Sequence, residues 1–404
     1  MTCTDFPHPA PTTARPDDSI LFAALELSKT RRAASAKSWL VATSAPGEEK
    51  VSKRTVSAGD GRALLDLLAG LRDKAERRIG KPVKVVVIQE AGLDGFWRHR
   101  LLEANGIESH VVDPASIAVD RRKRRRKTDA IDADALLRTL MAWARGERRV
   151  CSMVRPPSPE DEDRRRLSRE REALVKERIQ HSNRIKGLLA AQGIADFEPL
   201  RPDHRARLAR LTTGDGRALP PRLTAEIRRP LARLEAVIPD PKAVGAERDS
   251  LLAGDKPATP AAPAEAVGMA PPEAAVLLRL KGIGPEFASV LCLELLFRSF
   301  SNRREVASYG GLTPSPFKSG GIDREQGISK SGNPRLRKMM IQLAWMWIRY
   351  QPGSAISRWF AEFGGTRRGR IRRIATVAVA RKLLIARWRF ATQGIVPEGA
   401  ALKS

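Results

Sequence analysis

In the first third of the chain, apolar residues gather in short runs rather than in helical stripes. Ile20–Leu27 is one such run, interrupted by a single acid, Glu26. Ser38–Thr43 is a second and Lys50–Val56 a third, each of strand length. Over residues 63–76 the period changes, and Leu64, Leu65, Leu67, Leu68 and Leu71 take helical spacing. Val83–Ile88 is continuous and β-branched, as in a strand covered on both faces, and it ends in Gln89 and Glu90. A helix over 96–104 and a short strand over 109–113 follow. This succession predicts an α/β domain with a mixed sheet over residues 19–155.

The middle of the chain is charged and helical. Ser158 caps, Pro159 fits the first helical position, and the pattern runs to about Gln192 with Gly193 as its stop. Its seam of Leu167, Leu174, Ile185 and Leu189 is thin, which predicts pairing with another helix, one from a second subunit included. A solvated charged helix, or one that touches nucleic acid, fits the same pattern. Arg201–Val237 predicts shorter basic helices broken at Gly214, Gly216 and Pro220-Pro221. Residues 257–272, rich in Ala and Pro, read as a linker that closes a segment 156–272.

Residues 273–393 predict a mainly helical domain. Leu280-Lys281-Gly282-Ile283-Gly284-Pro285, ahead of an apolar helix over 287–297, suggests a helix–hairpin–helix turn that offers backbone N–H groups to a phosphate. Arg335–Tyr350 predicts an apolar helix with Trp345 and Trp347 both in the core. Residues 366–389 predict a basic helix packed along Ile374, Val377, Val379 and Leu383 and open to a polyanion on its other side. Residues 1–18 read as a disordered tail without the apolar core of a signal peptide, and 394–404 as a second tail.

Charge narrows the class of partner. Seventy-three Lys and Arg against 46 Asp and Glu leave the 404-residue chain at +27, which favours a nucleic acid. No apolar run approaches the roughly 18 residues a membrane span needs. Cys3, Cys151 and Cys292 are too scattered for a disulfide framework or a zinc site, so a reducing, cytoplasmic setting is expected. The strongest basic run is Arg121, Arg122, Lys123, Arg124, Arg125, Arg126 and Lys127. It suits the backbone of a nucleic acid.

Four acids stand out beside it. Glu26 and Glu90 interrupt or end apolar strands, where a carboxylate is costly unless paired or metal-bound. Asp129 and Asp132 lie three apart at the start of a predicted helix, on one face, with Asp134 turned away. Acids at a helix N-terminus are also favoured by the dipole alone. Taken together the four form an oxygen-ligand set suited to Mg2+ or Mn2+, ions that support phosphoryl transfer. The order strand acid, strand acid, helix acids resembles the RNase H-like nucleases, the RuvC resolvase in particular.

The second chemical centre is Ala307–Lys338. Gly310, Gly311, Gly320, Gly321, Gly327 and Gly332 punctuate it, so it is not one helix. Lys318, Lys330, Arg335, Arg337 and Lys338 make it basic, and Ser319, Ser329 and Ser331 supply hydroxyls beside glycine or lysine. A serine held against a phosphodiester by cations is a candidate nucleophile. A loop that only binds phosphate, or only connects two elements, has the same composition.

In order along the chain, Gln89–Leu102 (QEAGLDGFWRHRLL), Lys127–Leu137 (KTDAIDADALL) and LKGIGP…YGGLTPSPFKSGG…GISKSGNPRLR resemble the DEDD transposases of bacterial insertion sequences. These form the "insertion sequence 110" group, relatives of the Piv invertases. The resemblance covers most of 20–193 and 277–360. It implies an RNase H-like (RuvC-like) domain, a C-terminal transposase domain and divalent-metal chemistry at Glu26, Glu90, Asp129 and Asp132. Glu26 stands where the family has aspartate. The resemblance also implies a serine nucleophile at Ser319, with Ser329 the second choice. The implied partners are DNA (element ends and target), a guide RNA and further copies of the chain as a dimer or tetramer, in the bacterial nucleoid. A junction nuclease that uses water, and a nucleic-acid scaffold without catalysis, are the rival readings.

Overall fold

The computed structural model describes residues 19–27, 38–48, 50–92, 95–117, 128–253, 272–319, 322–365 and 367–403. The predicted tail 1–18, the basic run Arg121–Lys127 and all of the predicted linker but Pro272 lie outside them. The chain divides into two compact units, Met1–Pro156 and Pro157–Ser404.

The first unit is built on a six-stranded mixed sheet. Strands β1 (Ile20–Leu27), β2 (Ser38–Ser44) and β3 (Ser52–Ser57) form an antiparallel meander. β4 (Lys84–Glu90) and β5 (Glu108–Val112) continue parallel to β1, and the short β6 (Met153–Val154) closes the edge antiparallel to β5. The spatial order is β3-β2-β1-β4-β5-β6. Each crossover needs a helix: α1 (Gly61–Ile79) joins β3 to β4 and α2 (Trp97–Ala104) joins β4 to β5. Asp60 caps α1 by accepting from the Ala63 amide at 2.8 Å, and Gly80 ends it with φ 66°.

Strand alternation then sorts the sheet into two cores. Leu21, Ala23 and Leu25 of β1, with Val85 and Val87 of β4, pack against Leu64, Leu68 and Leu71 of α1. Phe22, Ala24, Val86 and Ile88 face the other way, against Ala133, Leu136, Leu137 and Leu140 of α3 (Asp129–Ala144). The continuous apolar run of β4 is explained by this double burial.

The second unit opens with α4 (Pro159–Ala190), capped by Ser158 with Pro159 in its first turn, and Gly193 follows with φ 79°. α4 packs against α6 (Pro221–Val237) and α7 (Asp240–Ala253) of the same chain, so its pairing is met within the chain. The short α5 (His204–Arg210) precedes α6, and the break between them spans 211–220 as the glycines and prolines predict. Ile185 and Leu189 of the predicted seam are fully buried with Ile227, Leu231 and Leu234. Leu167 and Leu174 are only half-buried, and the seam is completed by polar residues, Arg165, Ser168 and Ser182.

The largest core gathers α8 (Pro272–Leu278), α9 (Pro285–Leu291), α10 (Arg303–Tyr309), α11 (Pro334–Tyr350), α12 (Ala355–Phe360) and α13 (Arg370–Gln393). Two corrections concern it. Trp347 is fully buried, but Trp345 is 43% exposed and is not a core residue. On α13, Val379 and Leu383 are buried, Val377 is half-buried and Ile374 is exposed, while Arg387 is buried. The predicted apolar helix after Pro285 is present as α9 followed by a π-helical turn, Cys292–Leu296. Residues past α13 fold back: Leu402 bridges Leu280, and the Lys281 amide donates to the Ala401 carbonyl at 3.1 Å. Between α10 and α11 the glycine-rich stretch forms an antiparallel hairpin, β7 (Pro314–Ser319) and β8 (Ile322–Ile328).

Candidate active site

Leu25 of β1 pairs with Gln89 of β4, and these are the last registered residues of the two parallel strands. Glu26 and Glu90 come next, on neighbouring strands about 4.8 Å apart. Alternation turns both to the face of Phe22, Ala24, Val86 and Ile88, the face that α3 covers. Asp129 and Asp132 occupy the first turn of α3, where Thr128 caps the helix by accepting from the Ile131 amide at 3.3 Å. Asp134 is committed elsewhere, 2.6 Å from the Lys53 ammonium on β3. The fold therefore brings the two glutamates to adjacent strand ends and sets the two aspartates on the helix over the same face. Among the described residues, no three His, Cys, Asp or Glu side chains gather closely enough to hold a metal ion. The donor chemistry is that of a hard divalent cation: carboxylate oxygens only.

A residue that sequence reasoning passed over sits behind this strand end. Arg98 of α2 is 2% exposed, and its Nε donates to Gln89 Oε1 at 3.2 Å. Its guanidinium lies 5.4 Å from the Trp39 ring centroid and 5.5 Å from that of Trp97. Arg98 thus fixes the residue before Glu90 from the opposite face. Its signal was a cation at a buried helical position between aromatic neighbours.

Ser319 is the last residue of β7, in register with Ile322; Gly320 lies outside the described residues. Ser329 sits at the other end of the hairpin, where its amide donates to the Thr313 carbonyl at 2.9 Å. Thr313 and Ser331 each donate a hydroxyl hydrogen bond to Ser329 Oγ at 3.2 Å. Lys330, between them, has φ 57°, the one left-handed non-glycine among the described residues. Gly332 follows with φ 80°, and a Cβ there would lie 2.3 Å from the Tyr309 carbonyl oxygen. Ser319 lies six positions beyond Thr313, so the hydroxyl cluster stands about 20 Å along the hairpin from Ser319.

The predicted cations divide. Lys330 is exposed, and Arg337 donates to the Ser331 carbonyl at 3.4 Å. Arg335 and Lys338 instead turn to Glu172 of α4, at 3.6 and 2.6 Å. These contacts, the hydrogen bond from Lys338 first, hold the Glu172 carboxyl below its usual range. Asn333 caps α11 through its side-chain oxygen and gives its amide hydrogens to Glu294 at 3.0 Å and to Tyr309 Oη at 3.2 Å. Glu294 also receives Arg169 of α4 at 3.0 Å.

The chain matches known protein families in two stretches. The family model for DEDD transposases of the IS110 type matches residues 33–192, and that of the transposase IS116/IS110/IS902 family matches residues 274–358. A protein of Sinorhizobium fredii (strain NBRC 101917 / NGR234) named "Putative transposase y4rJ" is 53% identical over 397 residues, 98% of each chain. This chain belongs to the IS110 transposase family. The transposase for insertion sequence element IS1328 of Yersinia enterocolitica is 27% identical over 275 residues, 67% of this chain and 73% of that protein. The transposase is thus an enzyme that cuts and rejoins DNA, of a family that uses divalent metal ions. Glu90, Asp129 and Asp132 of the transposase fall inside the first match and Ser319 inside the second; Glu26 precedes the first. No helix among its described residues is long and apolar enough to cross a membrane.

Proposed function

We propose that the transposase cuts and rejoins insertion-sequence DNA through a serine-linked intermediate, with its first unit an RNase H-like (RuvC-like) metal domain. The observation that supports this most is the pair Glu26 and Glu90 on neighbouring strand ends, facing the helix whose first turn holds Asp129 and Asp132. These four carboxylates do not form a closed ligand cluster in this structure; drawn together around Mg2+ or Mn2+ when DNA binds, they would polarise the scissile phosphate and lower the pKa of an attacking hydroxyl. Ser319 Oγ attacks phosphorus, the bond to the 3′ oxygen breaks, and the proton lost by serine reaches the departing 3′-OH. A 3′-OH of the partner strand then attacks the phosphoserine, which restores the serine and reseals the DNA. One phosphodiester is exchanged for another, so no ATP is consumed. Lys318, Lys330 and Arg337 attract the DNA backbone, and the basic run Arg121–Lys127 extends that attraction. A guide RNA that pairs with donor and target, and a dimer or tetramer that completes the site, belong to the same reading.

Ser319→Ala is expected to abolish the covalent protein–DNA adduct on a denaturing gel and leave DNA binding within about twofold. Asp129→Ala is expected to lose activity together with its response to Mg2+. Cleavage by Ser319→Ala at the wild-type rate would remove the serine and leave the junction nuclease that uses water. RNA that co-purifies with the protein, once sequenced, tests the guide.

A further inference from the structure

The structure moves Trp345 from core to surface, and the surface it joins is unusual. Trp345 on α11 is 43% exposed. One edge meets Phe360 at 6.5 Å between ring centroids, and the Arg372 guanidinium lies 5.3 Å from its ring. On the turn between α12 and α13, Phe363 is 51% exposed and stacks on Trp359 at 5.1 Å with 11° between the planes. The Lys382 ammonium lies 4.5 Å from the Trp359 ring. Two large rings therefore stand partly in water, each braced by another ring; a cation lies against Trp345 itself and another against Trp359, the ring that braces Phe363.

Charge says what covers them. Glu362 is the one acid in the sequence from 351 to 397. Arg367, Arg368, Arg370, Arg372 and Arg373 are all exposed, and none of them has an acidic partner among the described residues. The 24-residue α13 begins here at Arg370, and its N-cap, Gly369, has no side chain to cap the first amides. A protein partner with an apolar face would leave five cations unmatched. A DNA duplex would match the charge but hides its bases from the rings. A strand with unpaired bases satisfies both: phosphates meet the arginines and bases stack on the aromatics.

We propose that the α11–α12–α13 surface centred on Trp345, Phe363 and Arg372 binds single-stranded nucleic acid by stacking unpaired bases. None of these residues is among those assigned to cutting, and Phe363 and Arg372 lie beyond the matched residues 274–358.

The test uses full-length protein, fluorescence anisotropy and three labelled probes: a 15-nucleotide oligothymidylate, a 15-nucleotide oligouridylate and a 15-base-pair duplex. Trp345→Ala and Phe363→Ala are expected to weaken the preferred single strand about tenfold each and the duplex less than twofold. Trp345→Phe retains a ring and is expected to recover most of the affinity, which separates stacking from misfolding. Arg372→Ala is expected to reduce the slope of log K against log salt by about one. Tighter oligouridylate binding assigns the surface to RNA, tighter oligothymidylate binding to displaced DNA, and either supports the proposal. Single-strand affinity unchanged in both alanine variants overturns it. So does an equal loss for the duplex, or the finding that the two variants change self-association and not oligonucleotide binding.

Discussion

Arg387 tests whether the burial in the second unit is understood. It is 1% exposed in the core between α11 and α13, and Nε, Nη1 and Nη2 all lack a hydrogen-bond acceptor. Among the described residues its compensation is the face of Trp347, 4.1 Å from the guanidinium carbon. Removing an unpaired cation from water costs several kcal/mol, and a desolvated cation–π contact returns about 2 kcal/mol. Arg387→Met keeps much of the apolar stem and discards the charge, so it should stabilise the protein by about 1–3 kcal/mol. For a unit of this size that raises Tm by roughly 3–10 °C. The pH dependence gives a second reading. Burial pushes Arg387 down to about 9 from 12.5. Between these values the unfolded chain binds a proton that the folded chain releases, so wild-type stability rises with pH. The advantage of Arg387→Met is therefore largest at neutral pH and shrinks above pH 9, by about 2 kcal/mol at pH 10.5. Differential scanning fluorimetry from pH 7 to 10.5 measures both. A variant that melts below wild type at pH 7, by more than 2 °C, would refute the reasoning.

Glu294→Ala leaves Asn333 without its buried acceptor and releases Arg169, a half-exposed partner worth little alone, so a loss of about 2–3 kcal/mol is expected in urea melts. Arg169→Ala in the same melts should cost less than about 1 kcal/mol. Gly332→Ala would put a Cβ 2.3 Å from a backbone oxygen at φ 80°, whereas Gly394, at φ 70°, has open space around it. Gly332→Ala is expected to cost more than about 2 kcal/mol and Gly394→Ala about 1, read by thermal melting. The Glu235 carboxyl is lowered to about 2 by the hydrogen bond from Arg205 and then by His204. Its stabilising effect is complete above pH 4.5 and fades as the pH falls towards 2. Glu235 is largely solvent-screened, so Glu235→Gln should lower neutral-pH stability by at most about 1 kcal/mol and flatten the acid limb.

Much of the first unit was readable because its strands are buried. Apolar runs of strand length gave β1, β2 and β4, and an acid that broke such a run marked Glu26 and Glu90 before any coordinates. The glycine-rich hairpin was less visible, since Pro314 and Pro316 in β7 argue against a strand and suit only a short two-stranded ribbon. Trp345 could have been corrected from the sequence alone. Two residues apart on a helix, it and Trp347 point some 200° from each other, so one narrow core cannot take both. The long helix α4 and its pairing were legible, but its seam only in part, because apolar spacing finds apolar residues. Its buried face uses a Ser168–Ser289 hydroxyl contact of 2.8 Å, and Arg165 laid over the Phe297 ring at 4.0 Å. Burial lowers the Arg165 pKa, and Glu294 opposes that shift.

The same ion pairs redraw the surface that attracts nucleic acid. A count of Lys and Arg along the sequence treats each as available to phosphate. In the second unit, acids on or facing α4 remove some from that count: Glu172 faces Arg335 and Lys338, Glu286 faces Arg171 and Arg248, and Glu294 faces Arg169. A cation beside a carboxylate contributes little net field at the distance of an approaching strand, even where the pair adds little stability. The arginines at the start of α13 have no such neighbours among the described residues, so they add more net positive charge there than the paired Arg335 and Lys338 add at the start of α11. Lys338→Ala should thus change the salt dependence of nucleic-acid binding less than Arg372→Ala does. The reverse order would mean that the Glu172 pairs open when nucleic acid arrives, and that the start of α11 belongs to the binding surface after all.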